Sequence, residues 1–403
     1  MKKSIIILSI LVSFTFISCK DYVTNIGQSN DIVTDSQLNA QDQLPFLITG
    51  VEAKFANAYG QTDVFSAALS DAFFFDHKDV PTAVHVEFQS IDLGNINLND
   101  DWIESTYKAV GQCRYYADDL VRRTNSISIT DTNIANKALF TGYFYGGFAR
   151  YLYASYFGLN PTQGGSPINN GAFIGSEQMY DLAIDKFKQS LKYTSDSIMI
   201  RTINSIIARS YLYKGDYANA ASYASKGMQT GDPPFDALHG LDPSSGNIWW
   251  AIAGNGQVQF TADYRFEGYI DADPNESNRV KIDTIRGSND SLFYYQVVYP
   301  NFTSPQKVIT WQETDLMLAE LILRGFGSGD ALALVNEVRN SNSIGPLSSV
   351  DLNVIYTERD KELFATGNRL VDERRFNKWH LPAGTWEYLP IPESERNSNP
   401  NIN

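Results

Sequence analysis

The chain has 403 residues, with 32 Lys and Arg against 46 Asp and Glu, a formal net charge of −14. This balance argues against a nucleic-acid binder, whose footprint is a basic surface, and only two cysteines, Cys19 and Cys113, exclude a disulfide scaffold and a thiolate metal cluster. Hydrophobic residues at 43% suffice for a sizeable core, and 23 Tyr, 23 Phe and 6 Trp leave an unusual number of rings to explain.

Met1-Lys2-Lys3 is a cationic start, and Ile5 to Ile17 is mostly apolar. That run is shorter than the roughly 20 residues a spanning helix needs, so residues 1–18 read as a secretory signal. Phe16-Ile17-Ser18-Cys19 resembles the bacterial lipobox, in which the cysteine becomes the first mature residue and carries acyl chains. Cys19 is therefore the expected lipidation site. Residues 19–43 are polar and poor in periodicity and read as a tether, with a single domain expected over 44–403.

Apolar periodicity returns from Leu44 to Ala58 and predicts a first helix. Trp102 to Val121 and Asn133 to Phe157 predict two long helices, followed by helices from Ser176 to about Tyr193 and from Ile200 to Tyr213. Lys214-Gly215-Asp216-Tyr217 with Ala218, Ala220, Ala221 and Ala224 resembles a tetratricopeptide unit: Gly relieves the turn and Ala lets two helices approach closely. Helical repeats are expected over about 102–230 and a loop-rich insertion over about 231–306. In the insertion, Asn247 to Ile252 reads as a strand, with short strand candidates near Arg279–Ile285 and Phe293–Val298. Helices return at Thr310–Leu323, Asp330–Asn340 and Asp351–Ala365, and the end is Pro-rich and extended. The fold class is thus mainly α, a tetratricopeptide-like scaffold of helical pairs (an α-α superhelix) with a few short strands in the insertion.

The last hundred residues carry a resemblance. Glu358-Arg359-Asp360-Lys361-Glu362-Leu363, Gly367-Asn368-Arg369, Asp372, Arg374-Arg375, Leu389-Pro390-Ile391-Pro392-Glu393 and Asn399-Pro400-Asn401 resemble the C-terminal signature of the SusD/RagB family. Asp315-Leu316-Met317-Leu318-Ala319-Glu320, Ala331-Leu332 and Asn336-Glu337-Val338-Arg339 resemble the helical pair before it. The resemblance implies a non-catalytic nutrient-binding lipoprotein lipid-anchored at the cell outer membrane and exposed at the surface. Its ligand would be an oligosaccharide or polysaccharide, and its partner a SusC-like TonB-dependent outer-membrane transporter.

A sugar's apolar face stacks on aromatic rings while polar side chains take its hydroxyls. Loop aromatics are the candidates: Phe73, Phe74 and Phe75 beside Asp71 and His77; Tyr264, Phe266 and Tyr269 in the insertion; and one of Trp249 and Trp250, which would alternate on a strand. Arg359, Glu362, Arg369, Asp372 and Arg375 could be taken for an acid–base site, but ion pairs and caps tying the final helix to the tail are the favoured reading. His77, His85, His239 and His380 lack zinc spacing. Asp271-Ala272-Asp273-Pro274-Asn275 begins like a calcium loop, but Glu276 and Ile282 break the EF-hand pattern, leaving only a looser calcium site open. No other cofactor is expected. The competing functions are a secreted glycoside hydrolase and a tetratricopeptide scaffold that binds only protein.

Overall fold

Aspartate side chains open the long helices. In the computed structural model, which describes residues 35–242 and 245–402, the Asp100 carboxylate accepts from the N–H groups of Trp102 and Ile103 at the start of the helix Asp101–Ser126. Asp131 serves Thr132–Tyr156 in the same way, and Asp196 serves Ser197–Lys214. Each carboxylate satisfies orphan donors and meets the positive end of the helix dipole.

Two short turns, Asp35–Leu38 and Gln41–Gln43, belong to an N-terminal unit, and the body begins at Leu44. The helices of the body, in chain order, are α1 (Leu44–Leu69), α2 (Phe88–Asp92), α3 (Asp101–Ser126), α4 (Thr132–Tyr156), α5 (Ser176–Ser190), α6 (Ser197–Lys214) and α7 (Tyr217–Ala224). There follow α8 (Ile248–Ala253), α9 (Arg265–Ala272), α10 (Trp311–Leu323), α11 (Ala331–Ser341), α12 (Leu352–Glu362), α13 (Asn368–Arg375) and α14 (Glu393–Ser398). The fold is mainly α, as the periodicity predicts. Helices pack as successive neighbours: α3 on α4, α4 on α5, α6 on α7 and α10 on α11. Between α3 and α4 the approach is close enough that a Cβ on Gly142 would lie 2.6 Å from Val121 Cγ2 and 2.8 Å from the Ala117 carbonyl. At the tetratricopeptide-like turn, Gly215 adopts φ +85° and ends α6, and Asp216 then caps α7.

Several expectations change: the tail, expected to be extended, includes the helix α14, and short strands also form outside the insertion. The first helix runs on to Leu69, past the predicted end at Ala58, because from Thr62 onward it is buried on every face and its periodicity disappears. The segment after Asn247 is the helix α8 and not a strand. The Asn247 side chain caps it by accepting from the Trp250 N–H, and so short an apolar run does not separate the two states by pattern.

The strands are short: β1 (Phe73–Phe74), β2 (Phe157–Asn160), β3 (Gln163–Pro167), β4 (Phe173–Gly175), β5 (Phe235–Ala237), β6 (Thr261–Ala262), β7 (Ile282–Arg286), β8 (Leu292–Gln296), β9 (Gln306–Ile309) and β10 (Leu389–Pro390). One sheet has the order β1-β6-β8-β7, and another has β10-β2-β3-β4. In the second, β10 runs parallel to β2, pairing Leu389 with Phe157, so the tail is laced to the end of α4. One large core runs through the body, rich in rings; Phe88, for example, stacks on Phe260 at 4.8 Å and meets Trp102 at 5.1 Å.

Candidate functional site

The sheet β1-β6-β8-β7 brings two predicted site residues, Phe74 and Tyr264, together at a surface. Strand alternation sends neighbouring side chains to opposite faces. Phe73 turns inward, 2% exposed, against Trp249 at 5.2 Å and Phe364 at 5.6 Å. Phe74 turns the other way and meets Tyr264 at 5.6 Å and Phe293 at 6.2 Å. Tyr264, at the entry of α9, is 49% exposed, and Tyr294 of β8 stands perpendicular to it at 6.0 Å. The pairing of Ala262 with both Phe73 and Tyr294 fixes this register.

Acidic side chains act on the two phenols through their charge. Burial, then the charge of Asp76, the Tyr294 phenol, Asp263 and Asp79 raise the Tyr264 phenol above its ordinary value. Burial, Glu267 and Asp271 do the same for Tyr294. Both phenols therefore stay protonated donors at neutral pH, among acceptors suited to hydroxyl groups. Tyr294 was not among the sequence candidates; its signal was a place in a strand candidate beside an insertion rich in Tyr.

Several sequence candidates leave the site. Phe75, Phe266 and Trp249 join Phe73 in the core, with exposures of 4%, 0% and 0%. The Trp249 indole donates to Asp63 at 3.0 Å, which gives a buried carboxylate its partner. His77 is half-buried with its ring over Phe75 at 6.0 Å. Trp250 packs on Phe302 at 5.4 Å, apart from the Tyr264 group. The Tyr269 hydroxyl donates to Asp360 at 3.1 Å, and Lys361 lies over its ring.

Asp71 is also engaged. Both of its oxygens accept from Arg369, at 2.6 and 2.8 Å, and one accepts from Arg265 at 2.8 Å. Burial would raise its carboxyl, but the Arg369 and Arg265 guanidiniums overcome that and hold it well below the usual range. The same kind of network holds the signature charges. Arg359, fully buried, donates to both oxygens of Asp372, and Arg375 bridges Asp372 and Glu320. Arg279 and Arg339 share Glu358, and Glu362 lies 3.6 Å from Arg279. These groups are partnered and sealed, as the structural reading of the signature requires.

Among the described residues no group of three or more His, Cys, Asp or Glu side chains is arranged to hold a metal ion. Asp273 of the calcium-like segment caps a 3-10 turn by accepting from the Asn275 N–H at 3.0 Å. Cys113 is fully buried. Cys19 and the signal segment lie outside the described residues. A larger cavity, about 460 Å³, lies elsewhere, between α3, the loop at 167–170 and α14, but its lining includes none of the sequence candidates.

Compared by sequence, the chain matches no protein-family model and no curated protein. Compared by structure, it matches solved proteins along most of its length. A SusD superfamily protein from Bacteroides thetaiotaomicron is 17% identical with a TM-score of 0.71, covering 90% of this chain and 98% of that one. A laminarin-binding SusD-like protein is 16% identical with a TM-score of 0.69, covering 89% and 97%. Surface glycan-binding protein A from Bacteroides thetaiotaomicron, solved with laminarihexaose, is 14% identical with a TM-score of 0.64, covering 90% and 98%. With these overlaps covering about 90% of the chain and nearly all of each solved protein, the chain has the SusD-like fold.

Proposed function

We propose that this chain is a non-catalytic glycan-binding lipoprotein of the cell surface whose ligand lies across Phe74, Tyr264 and Tyr294. The observation that carries the reading is the partly exposed ring group of Phe74, Tyr264 and Tyr294, whose two phenols feel the charge of acidic side chains. Rings stack on the apolar face of a sugar, and carboxylates accept from its hydroxyls. The SusD-like fold supports this reading, since proteins that share it are described as binding laminarin or laminarihexaose.

Acylated Cys19 anchors the body to the outer membrane in this reading. Among the described residues no helix is long and apolar enough to cross a membrane. In the same reading bound glycan is handed to a SusC-like TonB-dependent transporter. The test has two parts. Native affinity gels with laminarin and a panel of other polysaccharides, read alongside a reducing-sugar assay, should show retention without turnover; retention by none, or hydrolysis of the retained glycan, overturns the reading. The tagged full chain, pulled from solubilised outer membranes, should bring a TonB-dependent barrel in near-equal amount. Recovery of the chain alone, under conditions where known barrel pairs hold, refutes the partner.

A further inference from the structure

The cavity of about 460 Å³ beside α3 joins a groove of about 330 Å³, since Lys108 and Gln112 line both. Asp101, Glu104, Lys108, Gln112 and Tyr115 follow one another on α3 at steps of three or four residues, which puts them on one face of the helix. At 1.5 Å per residue that face runs about 21 Å from Asp101 to Tyr115, longer than a single sugar ring. The cavity volume lies inside the range of ligand pockets, about 300–1,000 Å³.

The loop at 167–170 forms another wall of the cavity, and the tail holds it in place. Asn399, fully buried, donates from Nδ2 to the Gly171 carbonyl at 3.0 Å, and Asn401 donates to the Asn170 carbonyl at 2.7 Å. Asn169 adopts φ +52° in this loop. Arg114 donates to its Oδ1 at 2.7 Å, so the amide nitrogen turns away from the guanidinium with two protons to give. On α3, Lys54 donates to Gln112 Oε1 at 3.0 Å, which puts the Gln112 amide nitrogen in the same role. Both amide side chains belong to exposed residues that line the cavity, so a molecule inside it reaches them. Tyr115, 58% exposed, adds an open ring to the same lining. The cations of the walls are paired, Lys108 with Glu104 and Arg114 with Asp118 at 3.4 Å. Amide donors beside an open ring, with the cations already partnered, suit a neutral chain rich in hydroxyl groups.

We propose that the cavity and the groove form a second glycan-binding trough, in which a neutral oligosaccharide lies along α3, its hydroxyl oxygens accepting from the Asn169 and Gln112 amides and an apolar face resting on Tyr115. It rests on the glycan reading above for ligand class only, and it shares no residue with the Tyr264 face. The probes are laminarihexaose, cellohexaose, maltohexaose, xylohexaose and mannohexaose, with glucose and a galacturonic acid hexamer as controls, titrated by calorimetry against the detergent-solubilised full chain and its Tyr264→Ala variant. At least one neutral hexasaccharide should bind both proteins, and glucose should bind about tenfold more weakly or worse, because it reaches fewer of the donors. Asn169→Gly removes an amide and keeps the left-handed backbone, and Tyr115→Ala removes a ring from an exposed helix position. In the Tyr264→Ala chain each should weaken hexasaccharide binding about fivefold or more, the equivalent of one lost hydrogen bond, with helical circular dichroism unchanged. Wild-type affinity in both Asn169→Gly and Tyr115→Ala overturns the trough; if Tyr264→Ala alone weakens binding, the proposed function stands without it. Loss in Asn169→Gly and Tyr115→Ala, with Tyr264→Ala at full affinity, supports the trough and removes the other face. Glucose bound as tightly as the hexasaccharide, preference for the galacturonic acid hexamer, or binding of no neutral hexasaccharide also overturns it.

Discussion

Replacing Arg359 by Met separates a structural signature from a ligand site. Arg359 is 0% exposed; its Nε donates to Asp372 at 2.8 Å and one Nη at 3.2 Å, while the other Nη has no partner. Methionine keeps much of the stem's packing and removes the charge. Asp372 then keeps only Arg375, at 2.7 Å, inside a core that gives it no water. Removing one partner of a buried pair costs about 3–5 kcal/mol. The unfolding entropy of a body this size is on the order of 0.75 kcal/mol/K, so Tm should fall by about 4–7 °C. Arg359→Met combined with Asp372→Leu should recover much of the loss, because two apolar side chains leave no orphan charge and Arg375 retains Glu320. The assay is urea unfolding followed by circular dichroism, with laminarin retention measured on the same preparations. Unchanged stability together with lost retention would refute the reasoning, since it would put the signature in the ligand site.

Tyr264→Ala should weaken glycan binding by about 1–2 kcal/mol, the lower part of what stacking contributes for a base, with helical circular dichroism unchanged; wild-type affinity by calorimetry would remove Tyr264 from the site. Asp63 is fully buried, and burial raises its carboxyl from 3.8 to about 7 against the pull of its Trp249 and Gln306 bonds. Its folded pKa lies above its unfolded one, so it contributes stability at acid pH that is lost as pH rises from about 4 through 7. Asp63→Asn keeps an oxygen to accept both bonds and should remove a slope on the order of 4 kcal/mol across that window; parallel stability–pH curves for the two proteins would refute it. Cys19→Ala should abolish fatty-acid labelling and release the chain from the membrane fraction, and undiminished labelling would disprove the anchor.

The helical pairs were legible because local rules agree there. Asp100, Asp131 and Asp196 announce helix starts, Gly215 announces a turn, and α3 shows one apolar face. The signature from Glu358 to Asn401 pointed to the fold that the structure displays. Legibility failed where no polar residue marks a period. The far half of α1 is buried on every face, and α8 is a short run of apolar residues, of which Trp249, Ile252 and Ala253 are buried.

Sequence by itself determined which residue types were present for a sugar: loop rings beside carboxylates, in a chain with no metal or nucleophile motif. It could not rank them, because ring exposure depends on which neighbours arrive from far along the chain. Phe73 and Phe74 are adjacent, yet Trp249 and Phe364 bury the first while Tyr264 leaves the second at the edge of the surface. Tertiary packing likewise took Asp71 from the candidates, by bringing Arg265 and Arg369 to it from nearly two hundred and three hundred residues away. It also brought Asn169 to Arg114 and Lys54 to Gln112, a meeting of three segments for which no local spacing in the chain gives a sign.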